Sequence, residues 1–175
     1  ITSVDRDDLE DGGSGIWVET VNAVRRLSPD ITLETLIPDF KGDVKQIQKI
    51  ANVNPEVVSH NIETIRRLTK QVRIQAKYER SLSVLKTLKK EGVQRTKSGL
   101  MLGLGEKKRE VIDSMKDLIN VNVDILTLGQ YLQPTKKHLP VVRFVSPEEF
   151  KLVLLLTFIF ITAGVGYKMA LAPFH

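Results

Sequence analysis

Residues 97–106, KSGLMLGLGE, are the stretch that decides the fold. Ser98, Gly99, Leu100, Met101 and Leu102 form a short, mostly apolar run of strand length that ends in a glycine turn through Gly103, Leu104 and Gly105. Glu106 then opens a helical stretch that reaches Asn120. In it Val111, Ile112, Met115, Leu118 and Ile119 recur on one face. Strand, glycine turn and helix make half of a strand–helix–strand unit, and the alternation continues in both directions. Residues 1–4, 31–37, 57–60 and 124–128 read as further strands. Helical spacing links Trp17, Val21 and Val24, then Val44, Ile47, Ile50 and Ala51 behind Asp43 as a cap, then Tyr78, Leu82 and Leu85. Pro29, Pro38 and Pro55 punctuate the segments. The pattern predicts an α/β domain with a parallel sheet. It does not separate an open doubly wound sheet from a barrel, and five strands are too few for a complete barrel. In both, chemistry gathers at the C-terminal ends of the strands, so those residues are the candidates.

Composition narrows the classes. The 175 residues are 42% hydrophobic and 27% charged, enough for one sizeable core and unlike a disordered chain. The net charge of +5 is spread over several segments with only short pairs such as Lys107 and Lys108, which argues against nucleic acid. With no cysteine there is no disulfide, catalytic thiol or thiolate metal site. Ile1 is not a methionine and the first residues read as strand, so neither a start codon nor a signal peptide is visible and preceding chain is expected.

Four constellations sit at the expected strand ends. Asp5, Arg6, Asp7 and Asp8 gather three carboxylates around one guanidinium, suited to an amine or ribose or to capping the next helix. His60 and Asn61 place an imidazole and an amide at another strand end, although a lone histidine serves equally as a structural residue. Gly99, Met101, Gly103 and Glu106 combine absent side chains, which let backbone approach a ligand, with a carboxylate at a helix start. No Gly-Lys-Ser/Thr follows, so this is no phosphate loop. Gln130, Tyr131 and Gln133 leave the last strand with two amides and a phenol. Arg66, Arg67, Arg73 and Arg80 can meet a carboxylate, an acidic partner or only solvent.

Five ordered stretches, SVDRDDLEDGG at 3–13, ETLIPDF at 34–40, His60 with Asn61, KSGLMLGLGE at 97–106 and LTLGQYLQP at 126–134, resemble the lipoyl synthase family. The resemblance continues through His138, Leu139, Pro140, Ser146, Pro147 and Glu148, and so covers about residues 1–150. It implies a partial (βα) barrel of the radical S-adenosylmethionine type lacking its first strand or strands. The implied activity is insertion of two sulfurs into an octanoyl chain on a carrier-protein lysine, initiated by a 5′-deoxyadenosyl radical, in the cytoplasm. It implies S-adenosylmethionine bound by Asp5, Arg6, Asp7, Asp8, His60, Asn61, Gly99, Met101, Gly103 and Glu106. Substrate would be met by Arg73, Gln130, Tyr131 and Gln133. The partners implied are octanoylated lipoyl domains of 2-oxoacid dehydrogenases and the glycine cleavage H protein. The family also carries two 4Fe–4S clusters on cysteines. This chain has none, and the family's closing Arg-Ser-Ser-Tyr element does not follow Phe150. The chain alone is therefore expected to bind no cluster and to be inactive.

Residues 152–167 carry no charge, between Lys151 and Lys168, and 16 residues fall slightly short of the roughly 20 that span a bilayer. A buried core helix is the alternative. The last residues, 166–175, resemble a transmembrane helix of the proton-pumping subunit N of NADH-quinone oxidoreductase. In that family the lysine matching Lys168 lies within the membrane. The division expected is a barrel segment over 1–150 and a hydrophobic, transmembrane-like helix over 151–175, joined as a fusion or artefact. Two further readings stay open: a membrane-anchored piece of a respiratory pump, and a non-catalytic chimera.

Overall fold

The structure is a computed structural model and describes residues 1–151. The hydrophobic run and its membrane likeness lie outside the described residues. Four strands form one parallel sheet in chain order: β1 (Glu34–Leu36), β2 (Val57–Ser59), β3 (Arg95–Leu102) and β4 (Ile125–Gln130). Leu36, Ser59, Lys97 and Ile125 sit side by side across it. The helices are α1 (Ser14–Leu27), α2 (Val44–Asn52), the short α3 (Thr69–Val72), α4 (Tyr78–Lys90) and α5 (Lys108–Asn120).

Burial along β3 alternates residue by residue. Thr96, Ser98, Leu100 and Leu102 are buried, together with Thr35 and Val58 of the neighbouring strands. A period of two turns these toward the helices and sends Lys97, Gly99 and Met101 to the opposite face. On the helix side one apolar cluster joins Leu82, Leu85, Leu100, Leu102, Val111, Met115 and Leu118. A second joins Trp17, Ile47, Ile50, Val58, Val84 and Leu88. Full burial of a residue such as Leu85 contributes about 1.5–3 kcal/mol.

The expected cap on α2 is present: the Asp43 carboxylate accepts from the Lys45 amide at 2.8 Å. Other expectations need correction. Residues 1–4 make a single bridge, Thr2 to Leu36, and Val4 is exposed, so that apolar run is no strand here. The strand expected over 31–37 begins only at Glu34. The Leu33 amide is taken by the Glu56 carboxylate at 2.7 Å, while its carbonyl still accepts from the Val57 amide of β2 at 3.1 Å. The helix expected from Glu106 starts at Lys108, because the Glu106 side chain turns back to hold the preceding turn. Ile119 lies on the rim of the apolar stripe and is exposed, while Val111, Met115 and Leu118 are buried.

Candidate functional site

The sheet face turned away from the helices, together with the loops at the strand ends, carries the polar residues. One cleft of about 280 Å³ is lined by Glu34, Ser59, Lys97, Gly99, Met101, Thr127 and Gly129, with Asn61 and Glu63 at its edge. A smaller one of about 140 Å³ shares Asn61 and Glu63 and adds Asp5, His60 and Arg73. A third, about 330 Å³, shares Asp5 and Arg73 and adds Arg6, Asp7, Lys41 and Arg80. The shared residues make the three clefts neighbours, so the first acidic loop, the end of β2 and the middle of β3 converge on one region.

The acidic loop is largely self-compensated. Arg6 forks onto Asp8 at 2.7 and 2.6 Å, and Lys41 reaches Asp7 at 3.2 Å. Asp11 accepts from the Gly13 and Gly15 amides at 2.9 and 2.8 Å. These amides hold its carboxyl below the usual range and fix the entry to α1. Gly13 needs its freedom: its φ is +83 and an added Cβ would press on Arg6.

His60 is 1% exposed, and its ring is spent inside the protein. Nδ1 donates to the Ile37 carbonyl at 3.0 Å, since a carbonyl only accepts. Nε2 therefore accepts from the Ser81 hydroxyl at 2.9 Å. Arg73 donates to that same hydroxyl at 3.2 Å and to the Asn61 carbonyl at 3.0 Å. Burial, with a smaller push from Arg73, lowers the imidazole to about 4 and keeps it neutral. Only its backbone and its neighbours are left for a ligand. Ser81, which joins Arg73 to His60, was not singled out by the sequence, where it is one serine in a polar helix.

Asn61 lies directly over Gly99: a Cβ there would sit 2.8 Å from the Asn61 side-chain oxygen. Glu63, also missed, prolongs the pairing of this segment along β3. Its amide donates to the Gly99 carbonyl at 2.9 Å and its carbonyl accepts from Met101 at 2.8 Å. Its φ of +62, uncommon for a residue other than glycine, aims the chain along the cleft. Glu34 accepts from Lys97 and from Ser59, each at 2.8 Å, and the Lys97 ammonium holds its carboxyl below the usual range.

The remaining candidates lie elsewhere. Glu106 is 6% exposed and both its oxygens accept backbone amides, Gly103 at 2.8 Å and Leu104 at 2.9 Å. Gly103 makes room for the Gln130 side chain and the Arg143 carbonyl, which a Cβ there would meet at 2.3 and 2.6 Å. Tyr131 is buried and donates to the Leu139 carbonyl at 2.9 Å. Gln133 is exposed and donates to the His138 carbonyl at 2.8 Å. Of the four residues assigned to substrate, Arg73 alone lines these clefts. Among the described residues no three His, Cys, Asp or Glu side chains are grouped to hold a metal, and no helix is long and apolar enough to cross a membrane.

A parallel sheet with clefts on one face and at its C-terminal rim defines an α/β protein whose candidate ligand site lies there. The chain belongs to the Radical SAM superfamily, whose family model matches residues 1–118. It is 67% identical over 150 residues to a lipoyl synthase of Flavobacterium johnsoniae, covering 86% of this chain and 52% of that protein. It is 65% identical over 151 residues to a mitochondrial lipoyl synthase of Nematostella vectensis, with the same coverage of 86% and 52%. The chain thus spans about half the length of the curated relatives it matches. Two solved structures share the fold. A coproporphyrinogen III oxidase, HemN, of Escherichia coli has a TM-score of 0.66 at 15% identity, covering 86% of this chain and 37% of its own. Methylornithine synthase, PylB, has a TM-score of 0.67 at 18% identity, covering 82% and 43%.

Proposed function

We propose that residues 1–150 are a segment of a lipoyl synthase barrel and contribute its S-adenosylmethionine-binding rim. The identity of 67% over 150 residues carries this reading. The residues present fit the ligand. Asp5 offers a carboxylate to an ammonium group and Arg73 a guanidinium to a carboxylate, and both line the same two clefts. Asn61 and Glu63 offer hydrogen-bonding groups to ribose hydroxyls. An added Cβ at Gly129 meets nothing within 4 Å, so the sheet is open to a flat ring at that point. When bound, S-adenosylmethionine supplies the hydrogen-abstracting chemistry of the superfamily. The work of this chain is to orient it and to exclude side reactions.

The clusters do not fit this chain. Its 175 residues include no cysteine, so no thiolate donor set exists in it. The proposed partners are octanoylated lipoyl carrier proteins and the proposed compartment is the cytoplasm. The uncharged run over 152–167 favours a second reading, attachment to a membrane through that tail.

The test is a graft. Residues 1–150 replace the matching segment of the Flavobacterium johnsoniae lipoyl synthase, and the purified, cluster-loaded chimera is assayed on an octanoylated lipoyl domain. Lipoyl formation within about tenfold of the parent is expected. A folded, cluster-loaded chimera that neither binds nor cleaves S-adenosylmethionine would overturn the proposal.

A further inference from the structure

We infer that Gln130 is a positioning residue for this rim: its carboxamide straps residues 143–145 across the end of the sheet and thereby fixes the turn from Gly103 to Gly105. Gln130 is the last residue of β4 and follows Gly129, which lines the cleft. Its Nε2 donates to the Tyr131 carbonyl at 2.9 Å and to the Arg143 carbonyl at 3.2 Å, while its Oε1 accepts from the Val145 amide at 2.8 Å. The amide is thus saturated within the protein and has no donor left aimed at a substrate.

The strap it holds bears directly on the glycine turn. The Gly103 carbonyl accepts from the Val142 amide at 2.8 Å and the Arg143 amide at 3.4 Å. The Gly103 and Leu104 amides are held from the other side by Glu106, and Arg143 lies 3.6 Å from that carboxylate while forking onto Glu149 at 2.7 and 2.8 Å. Every polar backbone group of Gly103 is therefore bound by the strap or by Glu106. Gly103 and Gly105 adopt φ of +103 and +98, and such a turn has many competing conformations unless something selects one. Met101, two residues before Gly103, lines the cleft, so the selection is felt at the ligand site.

The reading of that ligand as S-adenosylmethionine rests on the proposed function, whereas the geometric coupling does not. The test therefore has two arms on the full chain. Gln130→Met keeps the length of the side chain and removes its hydrogen bonds. Gly103→Ala attacks the same contact from the opposite side. Hydrogen exchange followed amide by amide should show Val145, Gly103 and Leu104 released together by about tenfold or more in Gln130→Met. Core amides such as Leu85 and Ile47 should keep wild-type rates; in Gly103→Ala, which also strains a turn at φ of +103, the readout is release of the Val145 amide across the contact.

Equilibrium dialysis with S-adenosylmethionine should show an affinity loss of about fivefold to tenfold in Gln130→Met. Release of Val145 with Gly103 and Leu104 unchanged would overturn the inference, since the clamp would then be local. Uniform acceleration of all amides would also overturn it, since the role would be merely structural. If the wild-type chain binds no S-adenosylmethionine, the proposed function fails for this chain, and the exchange arm still decides the positioning role.

Discussion

Lowering the pH from 7 to 5 should destabilise the fold through His60. In the unfolded chain this imidazole takes up a proton near its ordinary value of 6.5. In the fold, burial holds it to about 4. Between those values the unfolded state binds about one proton more than the native state, so stability rises with pH there and falls as pH is lowered. At about 1.36 kcal/mol per pH unit, acidification from pH 7 to 5 removes about 2 kcal/mol, and the loss levels off near 3 kcal/mol below the folded value. Protonation turns Nε2 from acceptor into donor, so the Ser81 hydroxyl must rotate to accept from it while still accepting from Arg73, and it sets a cation beside a guanidinium in a buried site. Urea unfolding followed by the fluorescence of Trp17, the sole tryptophan and a buried one, measures this directly. His60→Gln should start from a less stable protein and lose the pH slope between 7 and 5. A variant that keeps the wild-type slope, or an imidazole that titrates near 6.5 in the folded chain by NMR, would refute the argument.

Glu106→Ala strands the Gly103 and Leu104 amides and should cost about 2–4 kcal/mol in the same urea assay, with Glu106→Gln costing less because one acceptor remains. Leu85→Ala opens a cavity at a fully buried position between helix and sheet and should cost about 2–5 kcal/mol. Gly99→Ala pushes the Asn61 amide off β3 and into the cleft; S-adenosylmethionine affinity measured by dialysis should fall by about tenfold, a loss expected from displacing one or two hydrogen bonds. Incubation with iron and sulfide, followed by desalting and visible absorption, should leave no stoichiometric cluster on the chain, because it has no thiolate ligand. Cluster retained at one per chain would contradict that.

Helix α2 was legible because its signals are local: a cap at Asp43 and Ile47, Ile50 and Ala51 at helical spacing need nothing from distant chain, although Val44 in its first turn is exposed. The strands were legible as runs but not in extent. At the start of β1 the Leu33 amide goes to the Glu56 carboxylate instead of to backbone, a contact between residues 23 apart. Asp5 and Asn61, found through their polarity at expected strand ends, do line the clefts, as do Met101 of the glycine stretch and the basic Arg73. Their roles were not legible. His60, Glu106 and Gln130 have the same chemistry as ligand-binding groups, and only their hydrogen-bond partners show that their side chains are spent on the protein. Glu63 and Ser81 carried no signal at all, since one depends on a backbone φ and the other on two partners from other segments.

By itself the sequence determined the class of fold, because hydrophobic period is a property of neighbours along the chain. It also determined the absence of thiolate chemistry, because that needs a residue the chain lacks. The tertiary structure decided which polar groups remain available to a ligand. A carboxylate, amide or imidazole acts on whatever lies within about 3 Å of it, and those neighbours come from segments that only folding brings together.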